Sequence, residues 1–405
     1  MTTWKKLGHQ QIKERVFAAL KENVNYLEEN VLGIPASYLD DKVFNQDTPF
    51  LKDAPFISSL VYNPNHIGCH TLGNSERYFK GTQELEREVI EICASSILKA
   101  EPGQTDGYVS AGGTEANMQA IWIYRNYFIQ ELKADINQIC ILCSSDSHYS
   151  MSKSANILNI AKAEVKVDEK TREISREKVK AAIEKAQAEG KKYFIVVSNM
   201  MTTMFGSVDE SKAYTDVLTE LDVPFKLHID GAYGGFYYPF ANSESDLNFQ
   251  NPHISSVTLD AHKMVQAPYG TGIFLIRKGM IRYANTQDAS YIKGQDSTIS
   301  GSRSGANAVA IWMILMTYGP YGWTEKIFIL QKRTDWLCEL LDKKGIEYYR
   351  EKYSNIVTIP NEYVSPEAAT EFGLVPDNHE NPAWQKIVVM DHVFIEKLLP
   401  LLEKL

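Results

Sequence analysis

The sequence predicts an α/β fold: a mostly parallel sheet of seven strands with helices on both faces, followed by a smaller α+β unit. Two observations predict it. Between about residues 105 and 280, short apolar runs alternate with longer amphipathic runs, the pattern of successive β-α-β crossovers. A Gly/Pro break at Gly319-Pro-Tyr-Gly322 then separates the C-terminal segment. The chain of 405 residues is long enough to bury a large core.

Three regions are predicted along the chain: a helical arm over 1–55, a large α/β domain over 56–318 and a small domain over 319–405. A second long helix is expected near Thr82, which can cap a run of apolar positions beginning at Leu85. The arm is predicted to be helical because five apolar residues recur at helical spacing: Ile12, Val16, Phe17, Leu20 and Val24.

Each predicted strand is short and apolar, and turn residues or amphipathic runs separate it from the next. The seven strands are predicted at 108–111, 139–143, 164–167, 194–198, 226–229, 256–259 and 272–276. Helices are predicted between them and in the small domain at 114–131, 150–158, 176–188, 211–221 and 326–341.

The charge balance disfavours polyanionic partners. The chain carries 51 acidic and 42 basic side chains, a formal net charge of −9, so no global basic field attracts nucleic acid or an anionic membrane surface. The longest apolar run, 308–316, is far shorter than the roughly 20 residues that span a bilayer. We therefore expect no nucleic-acid partner and no membrane span.

The cysteine content is low, since five cysteines are scattered through the chain. An odd, sparse set does not predict a disulfide framework, and no apolar stretch near Met1 predicts a secretion signal. A reducing, cytoplasmic location is expected. Cys140 and Cys143 form a C-x-x-C, but positions three apart in a strand face opposite sides, so no metal or redox pair is expected there.

Unusual residues follow four of the predicted strands, at the edge where open parallel sheets bind ligands. Gly112-Gly113-Thr114 follows the first strand and opens a helix, an arrangement that suits a phosphate. His148 follows the second strand. Either group alone is equally consistent with an ordinary structural turn.

Asp230 and Lys263 follow two further strands. Asp230 precedes small residues that leave room for a flat ligand, although an aspartate there can also cap a helix. Lys263 can act as a Schiff-base nucleophile if its environment depresses its pKa, whereas a lone surface lysine is inert. Together, the phosphate cradle, imidazole, carboxylate and lysine are the groups that hold pyridoxal phosphate (PLP).

Five motifs together resemble the group II PLP-dependent amino-acid decarboxylases. The resemblance covers roughly residues 70–320. It extends to the short archaeal tyrosine/aspartate decarboxylases and the bacterial histidine decarboxylases, and it implies the fold type I architecture of PLP-dependent transferases. The motifs are Ser110-Ala-Gly-Gly-Thr-Glu-Ala-Asn117, Asp146-Ser-His-Tyr149, His228-Ile-Asp-Gly-Ala232, Asp260-Ala-His-Lys263 and Ser300-Gly-Ser-Arg-Ser-Gly305.

The resemblance also implies residue roles. Lys263 would form the Schiff base with PLP, and Asp230 would pair with the ring nitrogen. The remaining residues would contact the two faces of the ring and the phosphate. His148 and Ala232 would lie on the ring faces, and His262, Gly113 and Thr114 would lie near the phosphate. Thr203 would make a further contact, and Ser302 would reach a phosphate across a dimer interface. This last role also fits an ordinary loop and cap.

The implied reaction is the decarboxylation of an L-amino acid to its amine and CO₂. The proton that replaces CO₂ has three candidate donors, Tyr291, His148 and Lys263. Asn74 and Arg303 are predicted to contact the substrate, for which aspartate, glutamate, tyrosine and histidine are the candidates. Larger glutamate decarboxylases bind the α-carboxylate with an arginine of the C-terminal domain, but no arginine follows Arg350 here, so that contact is expected to differ.

Several alternatives remain at this stage. The same lysine motif occurs in PLP-dependent C–C lyases of phosphorylated amino alcohols, and a non-catalytic PLP-binding protein would share the site. A dinucleotide site is disfavoured because Gly270-Thr-Gly272 precedes its strand and lacks a third glycine. A metal site at His66, Cys69 and His70 is disfavoured because nearby Pro and Gly oppose a helix. The resemblance further implies a homodimer with shared active sites.

Overall fold

The computed structural model describes residues 80–284 and 296–405, together with Gln10, Asn30, Leu32, Gly33 and 40–44. The predicted helix of the N-terminal arm and the disfavoured metal cluster at His66, Cys69 and His70 lie outside these residues. None of the described helices is long and apolar enough to cross a membrane.

A seven-stranded sheet forms the centre of the fold, in the order β1-β7-β6-β5-β4-β2-β3. The pairs of β2 with β3 and β4, of β4 with β5 and of β5 with β6 are parallel, whereas β7 is antiparallel to β6 and β1. The predicted mostly parallel sheet is thus confirmed. Its strands are Thr105–Ser110 (β1), Ile139–Ser144 (β2), Ala161–Val165 (β3), Tyr193–Asn199 (β4), Phe225–Gly231 (β5), Ile254–Asp260 (β6) and Gly272–Arg277 (β7).

A second, small antiparallel sheet lies in the C-terminal part of the chain, in the order β8-β10-β9. Its strands are Ile356–Pro360 (β8), Val375–Pro376 (β9) and Trp384–Val388 (β10). This sheet confirms the predicted α+β character of the C-terminal unit, while the exact domain boundaries remain a prediction.

The described helices are mostly those that the sequence pattern predicts. Their bounds are Asp41–Phe44 (α1), Lys80–Glu91 (α2), Gly113–Leu132 (α3), Ser150–Leu158 (α4), Arg176–Ala188 (α5), Ser211–Glu220 (α6), Tyr238–Ala241 (α7), Gly305–Lys344 (α8), Pro366–Glu371 (α9) and Ile395–Lys404 (α10). Short 3₁₀ turns lie at Ile136–Gln138, Gly234–Phe236, Met280–Ala284 and Asn361–Tyr363.

Alternate residues of the strands enter two separate cores, one on each face of the sheet. On one face, Ile141 and Cys143 of β2 pack with side chains of α3 and α4. On the other, Cys140 and Leu142 pack with side chains of α5 and α6. The two cysteines therefore face opposite sides as predicted. Burial raises the pKa of each thiol to about 12, so both stay protonated at neutral pH.

Three local predictions were inaccurate. The edge strand β3 was placed about three residues too late, because it has one neighbour and alternates Ala161 and Ala163 with charged residues. Helix α2 begins before Thr82, which therefore does not cap it, and it continues into a π-helical turn at Ile92–Ile97. The helix expected at 326–341 was predicted too short: α8 (Gly305–Lys344) consists of two helical segments that meet at a kink at Gly319, where the backbone departs from helical geometry (φ 59°, ψ 179°).

The backbone of Met200 lies so close to position 234, just after β5, that only glycine fits there. A Cβ at this position would lie 2.2 Å from the carbonyl oxygen of Met200. We expect Gly234→Ala to lower the free energy of unfolding by about 1–3 kcal/mol, because backbone must move to accept the methyl group. The midpoint of urea unfolding measures the effect.

Gly322→Ala is the matched control, since its Cβ would meet Tyr318 at an ordinary 3.7 Å inside α8. Alanine is favoured over glycine in a helix by up to ~1 kcal/mol, so this variant should match or exceed the parent in stability. Equal midpoints for the two variants would show that the approach to Met200 does not constrain the fold.

Candidate active site

A pocket of about 480 Å³ lies at the edge of the sheet where the parallel strands end. The segments after β1, β2, β4, β5 and β6 all contribute to its walls, and the segment before the antiparallel β7 reaches the same edge. The sequence-predicted residues that line it are Gly113, Thr114, His148, Thr203, Asp230, Ala232, His262 and Lys263. The structure thus brings most of the predicted site together.

Asp230 ends β5 with its carboxylate in the pocket wall, and the residue is 7% exposed. Its Oδ2 accepts a hydrogen bond from Asn117 Nδ2 at 2.9 Å, and its Oδ1 accepts one from the backbone N–H of Ala232 at 3.1 Å. Both partners donate to the carboxylate, and its remaining lone pairs can accept a hydrogen bond from a further N–H group.

His148 lies half-buried in the segment after β2. Its Nδ1 accepts the backbone N–H of Ser150 at 3.2 Å and lies 2.9 Å from the Ser150 hydroxyl. Burial lowers the pKa of His148; the Asp230 charge opposes this shift, and the Lys263 charge adds to it. The imidazole is therefore favoured in its neutral form.

Gly112 and Gly113 form the turn between β1 and α3. A Cβ on Gly113 would lie 2.9 Å from Ala232 Cβ, so this position has no room for a side chain. The Gly113 N–H, which the sequence predicts as a phosphate contact, instead donates to Asp260 Oδ2 at 3.1 Å. The first turn of α3 retains Thr114 and further backbone N–H donors, a set that suits a phosphate.

Lys263 and His262 lie in the segment after β6, next to Asp260. Lys263 Nζ is 4.0 Å from Asp260 Oδ2, beyond hydrogen-bond distance, and its side chain is 22% exposed. His262 Nδ1 lies 2.7 Å from Asp260 Oδ1, but the two groups are not aligned for a hydrogen bond. The lysine amine is therefore open to the pocket rather than held in a close ion pair.

These residues fit PLP. A lysine amine free of a close partner can react with the cofactor aldehyde, and a carboxylate held by donors can accept from the ring nitrogen. The start of a 20-residue helix suits the phosphate. Lys263, Asp230 and Thr114 all face the same pocket, which has room for the cofactor.

Comparison with protein families decides the class of the chain. Residues 67–351 match the family model "Pyridoxal-dependent decarboxylase conserved domain", which is well over half of the chain. The chain belongs to the pyridoxal-dependent decarboxylases. It is a PLP-dependent enzyme that releases CO₂ from an amino acid, as the sequence motifs predicted. The C–C lyase and the non-catalytic alternatives are not supported.

Two curated relatives illustrate the range of similarity. A tryptophan decarboxylase of Clostridium sporogenes is 48% identical over 400 residues, 98% of this chain and 96% of the relative. A probable L-tyrosine/L-aspartate decarboxylase of Methanocella arvoryzae is 30% identical over 318 residues, 76% of this chain and 80% of the relative. The predicted likeness to the archaeal enzymes is confirmed.

Solved structures match over nearly the whole decarboxylase. An L-methionine decarboxylase from Streptomyces sp. 590 has a TM-score of 0.77 at 20% identity, covering 98% of this chain and 95% of its own. A sphingosine-1-phosphate lyase from Burkholderia pseudomallei has a TM-score of 0.80 at 16% identity, covering 100% of this chain and 91% of its own. At these identities the likeness shows the fold alone, the predicted fold type I architecture.

Of the other predicted site residues, Tyr291 and Asn74 lie outside the described residues, and two do not line the pocket. Ser302 is exposed and does not line the pocket. Arg303 is buried and forms an ion pair with Glu86, and both side chains are 4% exposed. The structure does not bring the predicted substrate contact of Arg303 to the pocket.

Three residues in or next to the pocket of the decarboxylase were not predicted. Asn117 and Asp260 stand within the quoted motifs, so the sequence contained a signal for them. Lys386 had no such signal in the sequence, because it is a single lysine in a strand of the small sheet. It is 3% exposed, and its Nζ donates to the backbone carbonyl of Thr203 in the pocket wall at 3.1 Å. Burial and, to a lesser extent, the charge of Lys263 lower the pKa of Lys386 to about 8.

The Arg303–Glu86 pair gives a test of the revised role of Arg303. Glu86 Oε1 also accepts the backbone N–H of Val109 at 2.7 Å, so the pair ties α2 to β1. Removing one partner of a buried ion pair costs about 3–5 kcal/mol. We expect Arg303→Gln to lower the midpoint of unfolding. The double variant that also carries Glu86→Gln should regain part of the lost stability.

Steady-state kinetics on several amino acids complete this test. If Arg303 binds substrate, Arg303→Gln would instead raise KM for one class of amino acid at unchanged stability. That outcome would show that Arg303 contacts the substrate, as the sequence predicted.

Proposed function

We propose that the decarboxylase acts on a neutral aromatic amino acid, with tryptophan as the first candidate. The observation that carries the proposal is the pocket mouth, where Met118, Tyr149, Tyr269 and Ile299 surround the opening. Tyr269 is 87% exposed and Tyr149 64%. Each ring packs against a histidine of the pocket, Tyr269 on His262 and Tyr149 on His148, and its exposed surface can contact an aromatic side chain. The 48% identity to the clostridial tryptophan decarboxylase supports the same class.

Acidic substrates are disfavoured by the same structure. A buried carboxylate of a substrate side chain needs a cationic partner, and Arg303 was the sequence candidate for it. Its guanidinium is engaged by Glu86 in the interior. Aspartate and glutamate therefore rank below tryptophan, tyrosine and histidine as substrates.

In the proposed mechanism, each residue holds one part of the reacting system. When bound, PLP supplies an electron-accepting ring that stabilises negative charge at Cα as CO₂ leaves. Lys263 would hold the cofactor at its aldehyde. Asp230 would accept a hydrogen bond from the protonated ring nitrogen, and His148 and Ala232 would contact the ring.

The remaining roles are also proposals. Thr114 and His262 would contact the phosphate, and Thr203 would contact the cofactor or the substrate from the pocket wall. The proton delivered to Cα comes from His148, Lys263 or Tyr291, of which the first two lie in the described pocket.

We further propose a homodimer in which Ser302 reaches the partner's phosphate. Ser302 is exposed in the loop before α8, and Tyr269 and Ile299 are exposed at the pocket mouth of the same chain. A second copy over this mouth would cover these apolar groups.

A cytoplasmic location fits the four buried, unpaired cysteines of the described residues.

Reduction of the PLP-loaded enzyme with borohydride, followed by peptide mapping, tests the lysine assignment. We expect the label on Lys263, because its amine is open to the pocket. A label on another lysine would contradict the assignment.

Measurement of CO₂ release from each of the twenty amino acids tests the substrate proposal. We expect the highest kcat/KM for tryptophan, and Lys263→Ala should release none. Highest turnover of aspartate or glutamate would refute the proposed class.

We also propose that Lys386 binds the substrate α-carboxylate in place of the missing arginine. Arg350, the last arginine of the chain, is held by Asp335 Oδ1 and the Ser354 carbonyl, each at 2.8 Å. Lys386 is a buried cation to which the described residues give no carboxylate partner. Such a cation next to the pocket wall attracts an anionic group.

We expect Lys386→Met to weaken amino-acid binding by about tenfold to a hundredfold, the range for a lost charged hydrogen bond. Binding of the amine product, which lacks the carboxylate, should be unchanged. Lys386 is cationic below its pKa of about 8, so kcat/KM should fall as the pH rises through that value.

Lys386→Arg is the matched variant for this test, because its guanidinium stays charged and should extend activity to higher pH. Equal loss of amine and amino-acid binding in Lys386→Met would identify a structural role for Lys386 instead.

A further inference from the structure

Gln266 has a left-handed backbone conformation three residues after Lys263. Its φ is 57°, in the region that favours glycine, and the residue is 3% exposed. A non-glycine residue in this region is strained, and its conformation persists only where the surrounding structure holds it. The contacts that hold Gln266 therefore also determine the shape of the turn that follows the proposed cofactor lysine.

The backbone of Gln266 closes the turn that begins at Lys263. Its N–H donates to the Lys263 carbonyl at 3.2 Å, and the N–H of Ala267 donates to the Ala261 carbonyl at 3.1 Å. The residues on both sides of Lys263 are thus joined to the end of the turn. A change of backbone conformation at Gln266 would break these hydrogen bonds or move the backbone from which the Lys263 amine extends.

Two further contacts fix Gln266 from outside the turn. Its carbonyl accepts the backbone N–H of Asp40 at 3.1 Å. Its side-chain Oε1 accepts a hydrogen bond from Lys326 Nζ at 2.6 Å, and Lys326, in α8, is 8% exposed. A hydrogen bond from a charged donor is stronger than one from a neutral donor. The Gln266 side chain is therefore held at a buried charge.

Lys326 is itself fixed by groups on several sides. Its Nζ lies 2.6 Å from Asp391 Oδ2 and 3.7 Å from Asp40 Oδ2. The ring centroids of Tyr318 and Trp323, which belong to the same helix, lie 4.9 and 5.1 Å from the amine. Cations are attracted to the faces of aromatic rings. The ammonium group therefore has a defined position from which to hold Gln266.

The ammonium group of Lys326 connects two segments of the proposed site. Asp391 lies five positions after Lys386 in the C-terminal unit, and Gln266 lies three positions after Lys263. Lys326 contacts both Asp391 and Gln266. The turn that carries Lys263 is thereby tied to the segment that carries Lys386.

We propose that Lys326 is a positioning residue for Lys263. By holding Gln266 in its left-handed conformation, it keeps the turn in the form that directs the Lys263 amine into the pocket. Lys326 does not line the pocket, so it acts through Gln266. The inference rests on the proposed function for the reaction of the Lys263 amine with the cofactor.

Two variants at Gln266 separate the backbone strain from the loss of the side chain. Both remove the amide that Lys326 holds, and neither changes a charge. Gln266→Ala keeps a residue that is strained in the left-handed region, whereas the glycine of Gln266→Gly adopts this conformation freely. We expect the turn to relax in Gln266→Ala and to keep its form in Gln266→Gly.

The first readout is reductive methylation of the full chain without cofactor, using formaldehyde and cyanoborohydride, with the rate at Lys263 followed by peptide mapping. The Lys263 side chain is 22% exposed, and a relaxed turn would leave its amine less enclosed. We expect the rate to rise about fivefold or more in Gln266→Ala and in Lys326→Met, because released strain changes populations by at least this factor. Gln266→Gly should keep the parent rate.

Lys332→Met is the matched control on α8. Lys332 Nζ pairs with Asp335 Oδ2 at 3.0 Å, and its side chain is 62% exposed. This variant removes a lysine from the same helix without touching Gln266, so the rate at Lys263 should be unchanged.

The double variant Lys326→Met/Gln266→Gly tests whether Lys326 acts through Gln266 or through its charge. If it acts through Gln266, the glycine removes the effect and methylation of Lys263 returns to the parent rate. A rise retained in the double variant would overturn the proposal, as would equal rates in Gln266→Ala and Gln266→Gly. The pair at Gln266 decides the case even if Lys326→Met does not fold.

The second readout is the visible circular dichroism of bound PLP, which depends on how the protein orients the ring. Its intensity should change in Gln266→Ala and stay at the parent value in Gln266→Gly. Methylation needs neither cofactor nor substrate. If the borohydride label falls on another lysine while methylation of Lys263 follows the expected pattern, the proposed role of Lys263 is rejected and the role of Lys326 in holding the turn is retained.

Discussion

The site depends on one buried carboxylate, that of Asp260 at the end of β6. It accepts the N–H of Gly113 from the first turn of α3 and lies beside His262 and Lys263. The contact requires the turn after β1 to lie against β6, and the glycines allow it, since a Cβ on Gly272 would meet Gly112 Cα at 2.6 Å. The helix start assigned to phosphate and the lysine assigned to the aldehyde are thereby held at a fixed separation.

Much of this site could be predicted because parallel strands end at one edge of a sheet. His148, Asp230 and Lys263 are far apart in sequence, yet each follows a strand, so a coarse assignment of strands was enough to bring them together. The directions of individual hydrogen bonds could not be predicted. Gly113 offered an N–H for phosphate in sequence, but the three-dimensional contact gives that N–H to Asp260.

The errors share a physical origin, which is that a charged residue carries no sign of its distant partner. Arg303 and Glu86 are 217 positions apart, and only the fold shows that they neutralise each other. Lys386 is the opposite case, a lysine in β10 of the small sheet that the fold brings beside Thr203, in the loop after β4. Edge strand β3 was misplaced because a strand with one neighbour tolerates charged residues.

The antiparallel direction of β7 has a further consequence for the segment that carries Lys263. Asp260 and Gly272 pair directly across β6 and β7, so the intervening residues form a loop closed at its base by the sheet. Lys263 is three positions after Asp260 on one arm of this loop, and the exposed Tyr269 is three positions before Gly272 on the other arm. Insertions around Tyr269 can therefore change the length of the loop, and with it the shape of the pocket mouth, while the sheet register and the lysine stay in place.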